Sequence, residues 1–340
     1  MSMNLHFNQV TSITLIGGGN LMAESALIFA KQGFAVNAII APRHIDEPLI
    51  GTKATLGEYL AQNDIHFSLI SDINQLTSSE LAQYTPSGSM AICYGPAWVF
   101  KQHVIHAFEY GMYNINPIPI PHYLGGAHYT WQILNQNREG GCVLQMITEQ
   151  LDQGDIIAKH QFEISASAKT PDDYFVENIE QGLVFIEQLA IDFKNGKAFM
   201  SQSYHDTNKN RVYLPRLRTD KQAYINWQWH CDEIISFCRA FSAPYAGAAT
   251  FANQQELRIT QVESIELEHP PMHPFAAGVI IRKLNNEIVV AAVGGFIKIT
   301  ALEPSVYQQL KEGMRLFTPA SVLDQAMQYQ VVLTAEGFKD

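Results

Sequence analysis

Three polar side chains stand where chemistry could be done in this chain. Asn114 and Asn116 lie two apart in Met112-Tyr113-Asn114-Ile115-Asn116, and Asp152 lies in Leu151-Asp152-Gln153-Gly154. An asparagine amide donates or accepts a hydrogen bond but cannot carry a proton near neutral pH, whereas a carboxylate can accept one. The apolar run before the asparagines reads as a short strand ending at Asn114. Pro117, Pro119 and Pro121 then stiffen the backbone as it crosses the end of the sheet, and a helical pattern resumes near Tyr129. Ligands collect at the carboxyl ends of strands in open α/β sheets, which makes this rigid loop a candidate site. Asp152 falls in a turn between two strands, from which its carboxylate can point back toward Asn114; taken alone, Asp-x-Gly is a common turn.

The elements that must hold these residues follow from periodicity. Residues 10–16 read as a buried strand, Gly17-Gly18-Gly19-Asn20 as a turn, and 21–31 as a helix, the opening of a doubly wound sheet. Gly18, Gly19 and Asn20 let the backbone approach a ligand, with a helix start behind them that favours an anion. As a nicotinamide fingerprint the turn fails, because Met22 replaces the third glycine and no acidic residue ends the strand at 36–41. Helices are expected at 53–63, 78–84 and 100–109, and strands at 66–70 and 89–94. Further on come a helix at 129–135, strands at 141–148 and 156–164, and a long helix at 171–195 announced by Thr170-Pro171-Asp172-Asp173. After a connector, a helix at 230–241 precedes five short strands, at 248–252, 257–265, 278–284, 287–292 and 295–301, which suggest a small open barrel.

A chain of 340 residues with 47% apolar content can bury a full core and is expected to form two domains. No apolar stretch reaches membrane-spanning length and no leader pattern opens the chain, so a cytoplasmic protein is expected. Cys93, Cys142, Cys231 and Cys238 are scattered without a Cys-x-x-Cys pair, which indicates free thiols rather than a disulfide frame or zinc site. His103 and His106 stand three apart but lack an evident third ligand, so no metal is expected. The net charge of -11 works against nucleic acid as partner. The densest basic run, Lys209, Arg211, Arg216, Arg218 and Lys221, reads as a solvated connector.

The organising loop resembles the signature of the folate-dependent formyltransferases, Asn-x-His-Pro-Ser-Leu-Leu-Pro-x-Tyr-x-Gly. Asn114, Pro117, Pro121, Tyr123 and Gly125 match it in register, and the family's Leu-Asp-x-Gly recurs as Leu151, Asp152 and Gly154. The family's catalytic histidine is replaced by Asn116. The resemblance spans nearly the whole chain and implies a Rossmann-like N-terminal domain over 1–205, a linker over 206–222 and a β-rich C-terminal domain over 223–340. It implies 10-formyltetrahydrofolate as formyl donor, Asn114, Asn116 and Asp152 as catalytic residues, and a folate edge of Cys93, Tyr94, Gly95, Val99, Leu151 and Gly154. Gly18, Gly19, Asn20, Tyr123 and Gly125 would lie toward the substrate.

In that family the asparagine and histidine donate to the oxyanion and the aspartate holds the histidine and a water in the proton path. Here Asn114 still donates and Asp152 still accepts, while Asn116 offers only an amide. General acid–base groups are worth about 10²–10⁴ in rate and one oxyanion donor about 10²–10³, so a slower or differently wired enzyme is compatible with the exchange. His122 and His128 lie close enough in sequence to supply an imidazole, or serve as rim and packing residues. The expected activity is formyl transfer to a small-molecule amine. The alternatives are a degenerate relative that binds folate or a small ligand without turnover, and a methionyl-tRNA formyltransferase. A homodimer is compatible with the sequence.

Overall fold

A computed structural model describes residues 3–150, 153–203, 212–334 and 337–339. In chain order the first elements are β1 (Asn4–His6), β2 (Ser12–Gly17), α1 (Gly19–Lys31), β3 (Ala35–Ile40), α2 (Leu56–Gln62), β4 (His66–Leu69), α3 (Ser78–Leu81), β5 (Ser89–Tyr94), α4 (Gln102–Ile105) and β6 (Met112–Asn116). Then come β7 (Leu124–Gly125), α5 (His128–Leu134), β8 (Glu139–Met146), β9 (Ile156–Glu163), α6 (Pro171–Lys194) and β10 (Ala198–Met200). The remainder holds β11 (Tyr213–Leu214), α7 (Thr219–Gln222), α8 (Cys231–Ala240), β12 (Ala248–Ala252), β13 (Gln255–Ile259), β14 (Gln261–Ser264), β15 (Ile280–Leu284), β16 (Glu287–Ala292), β17 (Gly295–Thr300), α9 (Pro304–Gln309) and α10 (Ala320–Gln328). A last hairpin pairs β18 (Val332–Thr334) with β19 (Gly337–Lys339).

The chain groups into two compact units. The first comprises 1–122, 139–163 and 177–211; the second comprises 123–138, 164–176 and 212–340. Short stretches after the organising loop and around the start of α6 group with the C-terminal residues.

The first unit is built on a seven-stranded sheet of order β4-β3-β2-β5-β6-β8-β9. Its pairs from β4 to β6 are parallel, and β8 and β9 close the edge antiparallel. Parallel strands are covered on both faces, and β2 and β5 are accordingly buried at every residue. Helix α1 buries Met22, Ala23, Ser25, Ala26 and Phe29, the one-sided spacing of a helix laid on a sheet. Phe7, Phe29 and Phe193 are among the largest fully buried side chains, each worth roughly 1.5–3 kcal/mol of burial. The strand order reverses between β2 and β5, the place where open sheets present a crevice.

Several boundaries differ from the sequence reading, three of them with a visible cause. Strand β6 runs to Asn116 rather than ending at Asn114, because Ile115 continues the buried alternation and Asn116 pairs with Val143 of β8. The helix expected at 100–109 is confined to α4, and the chain that follows is pinned by Glu109, whose carboxylate accepts from the Gly88 N–H at 2.7 Å. Helix α2 starts at Leu56 instead of residue 53, set by a capping box in which Thr55 and Glu58 satisfy each other's backbone N–H groups.

In the second unit, β12 and β13 form a hairpin, and β14-β17-β16-β15 form a four-stranded antiparallel sheet. The expected strand at 257–265 is divided between β13 and β14. Helix α8 buries Ile234, Ile235, Phe237 and Cys238, and His230 caps its start. Among the described residues no helix is long and apolar enough to cross a membrane.

Candidate active site

Side chains alternate along a strand, so β6 sets Asn114 and Asn116 on one face of the sheet while Tyr113 and Ile115 enter the core on the other. On β8, Gln145 lies opposite Asn114 and Val143 opposite Asn116. Gln145 is buried, and its Nε2 donates to the Gly154 carbonyl at 2.9 Å. The loop that carries the Asp-x-Gly motif is thereby tied down beside Asn114. Gly154 has no room for a side chain, since a Cβ would run into the Met146 carbonyl. Its neighbour Asp155 accepts from the Met146 N–H at 2.9 Å, which closes the loop against β8. Leu151 and Asp152 themselves lie outside the described residues.

Among the described residues the buried Asn114 Oδ1 has no hydrogen-bond partner. The oxygen and nitrogen of an amide are assigned from its surroundings, so this end of the side chain can present a donor as readily as an acceptor. Leaving it unsatisfied costs about 1–3 kcal/mol, and a bound ligand with a complementary atom removes that cost.

At the neighbouring strand end, the Cys93 and Tyr94 side chains are buried on opposite faces of β5. Burial pushes both the thiol and the phenol well above their ordinary pKa values, so neither ionises. The Tyr94 carbonyl accepts from the Gly18 N–H at 3.1 Å, stitching the glycine turn to β5. Gly95 follows with φ +54 and open space where a Cβ would sit, so a ligand can approach its backbone. Beyond it the loop is fixed by Asn74, which donates to the Val99 carbonyl at 3.0 Å and accepts from Lys101 N–H at 2.8 Å. Val99 is left 57% exposed on this pinned loop.

The glycine turn is crowded on one side. A Cβ at Gly18 would meet the His44 ring and the Glu47 carboxylate at 2.8–2.9 Å. His44 Nδ1 is 2.5 Å from Glu47, and Arg43 Nε donates to His44 Nε2 at 3.1 Å. Asn20 is committed to structure: its amide donates to the Ile50 carbonyl at 3.0 Å and accepts from the Ile50 N–H at 3.1 Å. At Gly19 nothing lies within 4 Å of where a Cβ would be, so of the three expected residues it leaves the most space.

Tyr123 and Gly125 belong to the second unit and support the backbone there. Tyr123 is buried, and its hydroxyl accepts from Asn137 at 2.8 Å. Gly125 has φ +104, and a Cβ would strike the Leu214 carbonyl of β11, which pairs in parallel with β7. The two candidate imidazoles are held by their own neighbours. His122 Nδ1 is held 3.0 Å from Glu139 Oε2, and Glu139 stands four residues along β8 from Val143, about 13 Å from the strand position facing Asn116. His128 begins α5 against Tyr129 with its Nε2 buried and unpartnered, and desolvation lowers its pKa to about 4. Sequence reasoning missed Gln145, although a lone glutamine in Cys142-Val143-Leu144-Gln145-Met146 was a visible signal. It also missed His44 and Glu47, which nothing in the sequence places over Gly18.

The mixed sheet with its Gly-rich turn and asparagine strand is the fold of solved N-formyltransferases. A structure of WlaRD, a sugar 3N-formyl transferase in the presence of dTDP and 5-N-formyl-THF, superposes with a TM-score of 0.63 at 18% identity, covering 86% of this chain and 97% of that one. The N-formyltransferase from Helicobacter canadensis, in complex with folinic acid and dTDP-3-aminofucose, gives a TM-score of 0.62 at 17% identity over 86% of this chain and 99% of that one. In sequence, the methionyl-tRNA formyltransferase of Thermodesulfovibrio yellowstonii is 23% identical over 242 residues, 70% of each chain. That of Coxiella burnetii is 25% identical over 255 residues, 74% of this chain and 76% of its own. The family profile described as "Formyl transferase" matches residues 60–181, and that described as "Formyl transferase, C-terminal domain" matches 218–311, together more than half of the 340 residues. The chain belongs to the formyl transferase family.

Proposed function

We propose that this protein transfers the formyl group of 10-formyltetrahydrofolate to the amine of a small molecule, a nucleotide-linked amino sugar. The observation that carries the reading is the buried, unpartnered amide end of Asn114 beside a loop that Gln145 fixes through Gly154. Solved relatives of this fold hold a formylated folate together with dTDP or a dTDP-amino sugar, which supports both the donor and the acceptor class.

The donor supplies the formyl carbon and a leaving nitrogen; the remaining tasks fall to this chain. Asn114 donates to the formyl oxygen as negative charge develops on it. Asp152 accepts the proton released when the amine nitrogen bonds to the formyl carbon, and that proton passes to the departing nitrogen as the old carbon–nitrogen bond breaks. Asn116, on the same face as Asn114, orients the carbonyl or the amine by hydrogen bonding without taking part in proton transfer. The backbone at Gly95 and the apolar cover of Val99 hold the folate ring, and Gly19 leaves room for a phosphate of the acceptor.

A second reading, formylation of methionyl-tRNA, is favoured by the names of the sequence relatives and opposed by the net charge of -11. The test measures release of tetrahydrofolate with dTDP-amino sugars, free amino sugars, amino acids and methionyl-tRNA as acceptors. Turnover with a dTDP-amino sugar that is lost in Asp152→Ala supports the proposal. Turnover with methionyl-tRNA alone replaces it with the second reading. Folate binding without turnover on any acceptor, with activity gained in Asn116→His, means the site only binds.

A further inference from the structure

The seven-stranded sheet ends on β9, whose inner side is paired with β8. On the outer side its first residue is engaged, since Ile156 and Gln202 exchange N–H···O bonds at 2.9 and 2.8 Å. Beyond that bridge the edge lies open. The Ile164 N–H donates to the Arg138 carbonyl at 2.8 Å, in step with the β8–β9 register. By alternation the backbone groups of Ala158, His160 and Phe162 turn toward β8, and those of Lys159, Gln161 and Glu163 turn outward. Among the described residues the outward backbone groups of Lys159 and Gln161 have no partner. Such an edge is a template for another strand.

The two faces of this edge differ. Lys159, Gln161 and Glu163 are exposed on one face, while Ala158, His160 and Phe162 are half-buried on the other. His160 is fixed against α6: its Nε2 lies 3.0 Å from Gln181, and its ring stacks 6.1 Å from Phe185 and 5.6 Å from Phe162. A groove of about 690 Å3 opens beside the edge between β9, β10 and α6. Val184 and Met200, 55% and 54% exposed, stand in its wall with Leu189 and Phe199. Apolar surface continuous with an open strand edge is suited to contact between chains.

We propose that β9 pairs antiparallel with β9 of a second copy of this chain about a twofold axis at Gln161, joining the two sheets into one. The sequence of the strand selects this occupant. With Gln161 opposite itself, the outward-turned residues meet in pairs that exchange both main-chain hydrogen bonds. Lys159 then faces Glu163 of the partner subunit, and by symmetry this happens twice, while His160 faces Phe162 of the partner subunit. Centring the pairing on Lys159 or on Glu163 sets like charges opposite each other, which is destabilising. Glu163 has a contact within its own chain, and a carboxylate accepts at about four positions, so the pairing adds to that contact rather than replacing it. The axis runs normal to the sheet and leaves α6 of both copies on the same face, so the groove beside β9 becomes part of the contact. The inference rests on the first unit and is read by assembly rather than turnover, so its failure leaves the proposed activity untouched.

The test is sedimentation velocity of the full chain across micromolar concentrations, where the native protein is expected to be a dimer. Gln161→Pro removes an N–H that points away from β8, so it should leave far-UV circular dichroism unchanged and yield a monomer. Lys159→Glu and Glu163→Lys each set like charges opposite one another at two symmetric places, and each should weaken the dimer roughly tenfold. The double variant Lys159→Glu with Glu163→Lys exchanges the charges and should dimerise roughly tenfold more tightly than either single variant. Should Gln161→Pro disturb folding, the charge variants decide alone. A native chain that sediments as a monomer overturns the proposal, as does a dimer that survives Gln161→Pro. A double variant that dimerises no more tightly than the single variants overturns the pairing centred on Gln161.

Discussion

At the scale of single residues, the candidate site depends on Asn114 having a buried amide end with no partner among the described residues. Asn114→Ala is expected to lower kcat for formyl transfer by about 10²–10³ with little loss of stability, since no hydrogen bond to that amide end is broken; steady-state kinetics and thermal denaturation together check this. Asn116 is the informative counterpart. Its replacement by histidine adds a group that titrates near pH 6.5, so the pH–rate profile of Asn116→His should gain a limb in that region that the native protein lacks. The same scale carries a constraint: His122 Nδ1 is held 3.0 Å from Glu139, which stands four residues along β8 from the position paired with Asn116.

At the scale of elements, two loops are held by close backbone approach. The first is the turn between β8 and β9, where Gly154 abuts the Met146 carbonyl. Gly154→Ala forces that turn away from β8 and breaks the Gln145 tether, so activity should fall by at least tenfold while the melting temperature drops by several degrees. The second is the β7–β11 pairing at Gly125, whose φ of +104 and contact with the Leu214 carbonyl exclude a Cβ. Helix starts are governed more locally. Thr55 caps α2 through a reciprocal box with Glu58, and Thr55→Ala is expected to cost about 1 kcal/mol by chemical denaturation without touching the site.

At the scale of the whole molecule, the response to acid has an identifiable contributor. Desolvation holds the His128 ring at a pKa of about 4 in the folded chain, against about 6.5 when unfolded. The unfolded chain therefore takes up the proton first, and the stability that is complete above pH 6.5 is lost as the pH falls toward 4. His128→Gln should flatten this part of the curve: the stability difference between pH 7 and pH 5, measured by denaturant titration, should be smaller in the variant. Charge acts on the whole chain as well. At a net charge of -11, affinity for transfer RNA should be weak and should collapse with added salt, whereas dTDP-amino sugars should bind through a few localised contacts.

Local chemistry was enough to place most of the framework. The buried strands β2 and β5, the helix start at Thr170-Pro171-Asp172-Asp173, and the alternating strands of the C-terminal half all follow from side-chain periodicity and capping, which act over a few residues. Asn114 and Asp152 were singled out by the resemblance of their short motifs to the formyltransferase signature, and Asp152 lies outside the described residues. What the sequence alone could not decide depends on partners distant along the chain. The extension of β6 to Asn116 needs Val143 across the sheet, and the tether of the Asp-x-Gly loop needs Gln145 to lie opposite Asn114. The crowding of Gly18 by His44 and Glu47 arises only when separate segments are folded against each other. Periodicity records which way a side chain faces; which residue it meets there is set by strand register and chain crossing, and these exist only in the tertiary structure.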